Sequence, residues 1–125
     1  MKTLSVSMLV LFFVSFAHAE EAYQATAKIW KAMERKNWDA AIAQANRVIR
    51  IWGPQARRTN DQLKKYAPAK DAKKYGNLNE VGVSLLLKGD ALSRKGDKVA
   101  AKVAYQTLLD QYTYAQVWDP KGWFW

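Results

Sequence analysis

Residues 85–109 read LLLKGDALSRKGDKVAAKVAYQTLL. Leu85, Leu86, Leu87, Ala91 and Leu92 continue an apolar helix that begins near Val81. Gly96 stops that helix and Asp97 is placed to cap the next one. Ala101, Ala104, Tyr105, Leu108 and Tyr112 then recur at helical spacing on a second helix. The stretch is therefore one antiparallel helical hairpin. Gly82 and Gly89 lie within its first helix, where glycine costs stability. Both predict a close approach by a neighbouring backbone.

An earlier stretch has the same plan. Arg35-Lys36-Asn37-Trp38-Asp39-Ala40-Ala41 aligns with Arg94-Lys95-Gly96-Asp97-Lys98-Val99-Ala100-Ala101 if one residue is inserted. Each places a tight turn before a helix that opens on small residues, and small residues let paired helices pack closely. Before the first turn, Tyr23, Ala27, Trp30 and Met33 predict an apolar face, with Ala25, Ile29 and Ala32 on the adjoining stripe. After it, Asn37 is the expected cap of a helix carrying Trp38, Ala41, Ile42, Ala45, Val48, Ile49 and Trp52. Tyr23, Trp30, Trp38 and Trp52 read as core residues at helical spacing.

Between the hairpins, Gly53-Pro54 is expected to end the second helix, with Pro54 in the first turn of a third. Ala67-Pro68 interrupts that third helix, and Ala69 to Tyr75 reads as a further turn or two. Gly76 is expected to close this piece in a left-handed conformation, and Asn77 to open the next helix in a capping box with Glu80. No stretch alternates long enough to read as a strand.

The two hairpins resemble the tetratricopeptide repeat (TPR), a helix–turn–helix of about 34 residues. In the second, Leu85, Gly89, Leu92, Gly96, Ala101 and Tyr105 fall at the repeat's characteristic positions; in the first, Trp38, Ala41 and Pro54 do. The resemblance covers residues 21–54 and 82–115. The hairpins stand further apart than one repeat length, and solenoids need about three repeats. The expected fold is therefore all-α: a compact domain of antiparallel, TPR-like hairpins, its helical stack closed by an aromatic C-terminal tail. The resemblance implies a scaffold for protein interactions. It carries over no catalytic residue.

Residues 1–19 read as a secretory signal peptide. Lys2 is the basic start, Leu4 to Phe16 the apolar run, and Ala17-His18-Ala19 the small-residue cleavage site. The run is short for the roughly 20 residues of a membrane-spanning helix. Cleavage after Ala19 would leave Glu20 to Trp125, residues 20–125, as a single domain, periplasmic or secreted.

Export removes His18, the sole histidine, and the chain has no cysteine. The mature protein thus lacks the groups for Ser-His-Asp or Cys-His nucleophilic catalysis and for common zinc, copper or haem ligation. No cofactor and no enzymatic activity are expected. The formal charge of +9 loses Lys2, leaving +8. Much of it lies in the middle of the chain, at Arg57, Arg58, Lys64, Lys65, Lys73 and Lys74. This is either a solvated face or a surface for an anionic polymer. Export argues against nucleic acid as the partner.

The tail, YAQVWDPKGWFW (114–125), holds three of the six tryptophans. Asp119-Pro120-Lys121-Gly122 has the composition of a type I turn. Folded back, Trp118 and at least one of Trp123 and Trp125 would pack on the Gly82–Leu92 helix or its neighbour. In the other reading, Trp118 and Trp123 stack on a sugar ring or a peptide. WDPKGWFW after such a hairpin also resembles small exported bacterial proteins, some of them labelled beta-glucanase precursor. Glycoside hydrolysis needs two carboxyls roughly 5 to 9.5 Å apart across the bond. Asp90, Asp97, Asp110 and Asp119 have simpler assignments on helix surfaces, caps and turns. The leading expectation is thus a noncatalytic adaptor that binds a protein or peptide in the cell envelope. The alternative is a carbohydrate-binding or cell-wall-associated protein that meets a glycan through the tail aromatics.

Overall fold

The computed structural model describes residues 19–117. Four α-helices follow one another: α1 (Ala22–Glu34), α2 (Trp38–Gln62), α3 (Gly76–Arg94) and α4 (Lys98–Gln111). A 3₁₀ helix, Ala69–Tyr75, leads directly into α3. There is no strand among the described residues, and the fold is all-α as expected. The signal peptide and tail readings, including the 119–122 turn, Trp118, Trp123 and Trp125, lie outside the described residues. No helix among the described residues is long and apolar enough to cross a membrane.

α1 pairs with α2 and α3 with α4, and the hairpins stack through α3, which touches all three other helices. Its sequence fits that central place, since Leu78, Val81, Val83, Leu85 and Leu87 are all buried around its circumference. A helix enclosed on all sides needs no polar stripe. Trp30, Trp38 and Trp52 pack against this core, as expected, but Tyr23 is 61% exposed. The buried stripe of α1 is instead Ala22, Ala25, Thr26 and Ile29. Small residues there allow α1 to approach closely, and the larger rings fall to the edges.

The hairpin turns match without any inserted residue. Asn37 Oδ1 accepts from the Ala40 amide at 3.2 Å, and sixty positions later Asp97 Oδ1 accepts from the Ala100 amide at 3.1 Å. The amides of Lys36 and Gly96 bond to the carbonyls of Met33 and Ser93, and those of Asn37 and Asp97 to Ala32 and Leu92. Lys36 and Gly96 both adopt positive φ, 56° and 91°. The true register pairs Lys36 with Gly96.

The glycines of α3 do mark close approaches, but not by the backbone that the sequence suggests. A methyl on Gly82 would lie 2.5 Å from the Cβ of Ala115, and one on Gly89 would run into the ring of Tyr105. The close neighbours are side chains, not a crossing backbone.

Two expected boundaries are wrong. α2 does not end at Gly53-Pro54 but runs through both to Gln62. Proline in a helix removes the bond to the carbonyl four residues earlier, here that of Arg50. Arg50 and Pro54 are both exposed residues, while Gly53 is buried inside the stack. Tertiary packing thus holds the helix together where its local sequence would break it. At the start of α3, Gly76 is right-handed, φ −53°, and its amide bonds to Lys73 O. Asn77 caps nothing: its amide donates to Gln55 Oε1 on α2 at 2.9 Å. The 3₁₀ helix feeds α3 without a break, so there is no free helix end to cap.

Candidate functional site

A cleft of about 360 Å³ opens where α1 passes the 3₁₀ helix and the first turn of α3. Tyr23 comes from α1, Ala72 and Lys73 from the 3₁₀ helix, and Gly76, Asn79 and Glu80 from α3. Asn79 fixes the floor. It is buried, its amide donates to Ala72 O at 3.4 Å, and its Oδ1 accepts from the Gln116 amide at 2.9 Å. One side chain thereby ties the 3₁₀ helix, α3 and the chain after α4.

Glu80 stands beside it, half-buried. Burial pushes its carboxyl above the ordinary range, and the Thr26 hydroxyl works in the opposite direction. The cleft thus offers a mostly apolar recess with a phenol, an ammonium and a carboxyl at its edges. Such a mixture suits one apolar side chain with a polar neighbour.

A smaller recess of about 180 Å³ lies behind it, between α2 and the start of α3. Lys73 and Lys74 line it with Gln55 and Thr59 of α2. Lys73 belongs to both recesses, and the Lys74 ammonium lies 5.6 Å from the Tyr75 ring centroid. Of the six basic residues singled out in the sequence, these two neighbours along the chain line a recess. Arg57 and Arg58 lie on α2, and Lys64 and Lys65 in the loop after it. All six are exposed, and none joins an ion pair among the described residues. Trp118 and Trp123, the other two candidates, fall outside the described residues.

Four of the carboxylates have side-chain partners nearby. Glu20 accepts from Arg47 Nη2 at 2.8 Å and Lys28 Nζ at 3.1 Å, and these bonds, the Arg47 one first, hold its carboxyl below the ordinary range. Asp39 pairs with Lys95, joining the two hairpin turns. Asp90 accepts from the Tyr105 hydroxyl, and Asp110 from Gln106 Nε2 at 3.0 Å. Burial, and next the Asp90 bond, push the Tyr105 phenol up to about 12. Among the described residues no three His, Cys, Asp or Glu side chains stand together as a metal site.

A third cavity, about 400 Å³, lies at the far end of the stack. Leu86 of α3, Leu108 and Leu109 of α4, Tyr112, Val117 and Tyr66 form most of its wall.

The sequence missed Tyr23, Asn79 and Glu80 as a group. Their meeting depends on the angle at which α1 crosses α3, which no spacing along the chain encodes. Compared with known families, curated proteins and solved structures, the chain matches none of them.

Proposed function

We propose that the protein is an exported, noncatalytic scaffold of TPR-like hairpins that binds a protein or peptide of the cell envelope in the α1–α3 cleft. The observation that carries this is the cleft itself. Tyr23, a large ring 61% exposed, stands over a recess that also presents Lys73 and a half-buried Glu80. The ligand implied is a peptide with an apolar side chain seated under Tyr23 and a basic group near Glu80. The duplicated turn, with the same caps sixty positions apart, supports the repeat reading. The leader-like residues 1–19 and the excess of basic side chains support export to a compartment rich in anionic surfaces.

The test is selection from a displayed library of random peptides on immobilised residues 20–125, run in parallel on Tyr23→Ala and Glu80→Lys. Tyr23 is exposed and Glu80 half-buried, so circular dichroism checks that both variants fold. A shared motif that is enriched on the parent and lost on both variants is expected. If no motif is enriched, or if the same motif survives both changes, the cleft is not the binding site. Retention on a cell-wall glycan that ignores Tyr23→Ala would replace this reading with the carbohydrate-binding one.

A further inference from the structure

We propose that the groove at the end of the stack is the seat of the chain's own last eight residues, 118–125. Three observations converge on this occupant. The first is position. Val117, the last described residue, is buried and itself lines the groove, so the following segment starts at its rim. Eight residues reach about 26 Å when extended, ample to cross the groove and return. The Asp119–Gly122 sequence suits such a reversal.

The second is chemistry. The wall is mostly leucine, valine and tyrosine, joined by Ala115, Thr113 and Gln116, and Leu109 and Tyr66 are 64% and 57% exposed at its edge. The segment carries Trp118, Trp123, Phe124 and Trp125, large rings with little to satisfy them in water.

The third is the repeat. In the sixty-residue register, Val48, Ile49 and Trp52 correspond to Leu108, Leu109 and Tyr112. On the first hairpin Val48 is fully buried, Ile49 and Trp52 pack against the core, and α3 is stacked on α2. On the second hairpin no helix follows α4 among the described residues. The end of a stack of hairpins exposes an apolar face that needs a cap, and residues 118–125 supply apolar mass where it begins. This surface is separate from the α1–α3 cleft, so either proposal can fail without the other.

The natural chain has no cysteine, which permits a background-free cross-linking test. Leu109→Cys is combined in turn with Trp118→Cys, Trp123→Cys and Trp125→Cys. The reference pairs put Val103→Cys, 61% exposed on another face of α4, with the same three partners. The purified proteins are oxidised at low concentration, and intrachain disulfide is followed by mass and by mobility without reductant. At least one Leu109 pair should close about tenfold or more faster than its Val103 reference, because thiols held in one site have a high effective concentration. Deletion of 118–125 should also make a single Leu109→Cys react faster with a polar maleimide. Equal rates across all pairs, or an unchanged maleimide rate, overturn the proposal. Disulfide-linked dimers whose yield rises with protein concentration also overturn it, by showing that a second copy's tail fills the groove.

Discussion

The hydroxyl of Tyr112, just past the end of α4, donates to the carbonyl of Gly53 in the middle of α2, at 3.2 Å and out of solvent. That bond fastens the last helix to the point where α2 carries Gly53-Pro54. A methyl on residue 53 would come within 3.2 Å of the same hydroxyl, so glycine also makes room for the contact. Tyr112→Phe keeps the ring and removes the donor, leaving a buried carbonyl short of one partner. The expected cost is about 0.5–1.5 kcal/mol. In a domain of this size each kcal/mol lowers the thermal midpoint by roughly 4–8 °C. A thermal melt followed by circular dichroism measures it, and a midpoint equal to the parent's would mean that the bond contributes nothing.

Gly89 is predicted to be the least replaceable glycine. The space a methyl would need is filled by the Tyr105 ring, which is itself held by Asp90. Overpacking of this kind costs about 1–3 kcal/mol. Gly89→Ala should therefore lower the midpoint clearly, although alanine is the better helix former. Adding Tyr105→Val should recover part of the loss. A Gly89→Ala variant as stable as the parent would show that the ring moves aside freely.

Lys36 offers the opposite case. It holds φ at 56°, whereas its counterpart in the second turn is glycine. The left-handed region costs a non-glycine residue roughly 1–2 kcal/mol, part of which a glycine returns through its greater freedom when unfolded. Lys36 is exposed and lies in a turn, so little packing is lost. Lys36→Gly should raise the midpoint by a few degrees, on the order of 0.5–1 kcal/mol. A lower midpoint would mean that the lysine side chain contributes more than the strain it causes.

These sites also mark how far the sequence can be read. Asn37, Gly96 and Asp97 were legible because caps and left-handed residues act on their own neighbours. Gly82 and Gly89 were legible as close contacts, although not which atoms approach. Gly53-Pro54 and Asn77 were misread because their local signals are overridden by partners far along the chain, Tyr112 and Gln55. The α1–α3 cleft was invisible for a related reason: Tyr23 looks like a core residue on a helical wheel, and only the crossing of α1 over α3 turns it outward. The six basic residues were legible as exposed, but not that Lys73 and Lys74 line a recess against α2.

Tyr105 should report its surroundings in an alkaline titration. Its phenol is raised to about 12, first by burial and then by Asp90. Because the folded value exceeds the unfolded one, the contribution to stability is intact below pH 10, the ordinary phenol value, and falls away as pH rises toward 12. Absorbance of the ionised phenol, compared between the parent and Tyr105→Phe, isolates this group. Asp90→Asn should shift its midpoint downward, since a negative neighbour no longer opposes ionisation. A midpoint near 10 in the folded parent would mean that the ring is open to water.

Glu80 gives the prediction nearest the proposed binding cleft. Burial raises its carboxyl above 4.5, so folding favours the protonated form. The sign follows from linkage: this contribution to stability is fully present below pH 4.5 and is lost as pH rises through the folded value. At neutral pH the ionised carboxylate therefore opposes folding. Glu80→Gln keeps the shape and removes the charge, so it should melt higher than the parent at pH 7. That advantage should shrink as the pH is brought below 4.5, where both side chains are neutral. Melts of the two proteins across that range measure the difference directly, and other acid effects cancel between them. If Glu80→Gln is the less stable protein at pH 7, the Thr26 hydroxyl outweighs burial and the carboxylate is a structural anchor. If it is the more stable one, a carboxylate is held in the cleft at a cost to the fold, which is expected of a group placed there to meet a cation on a partner.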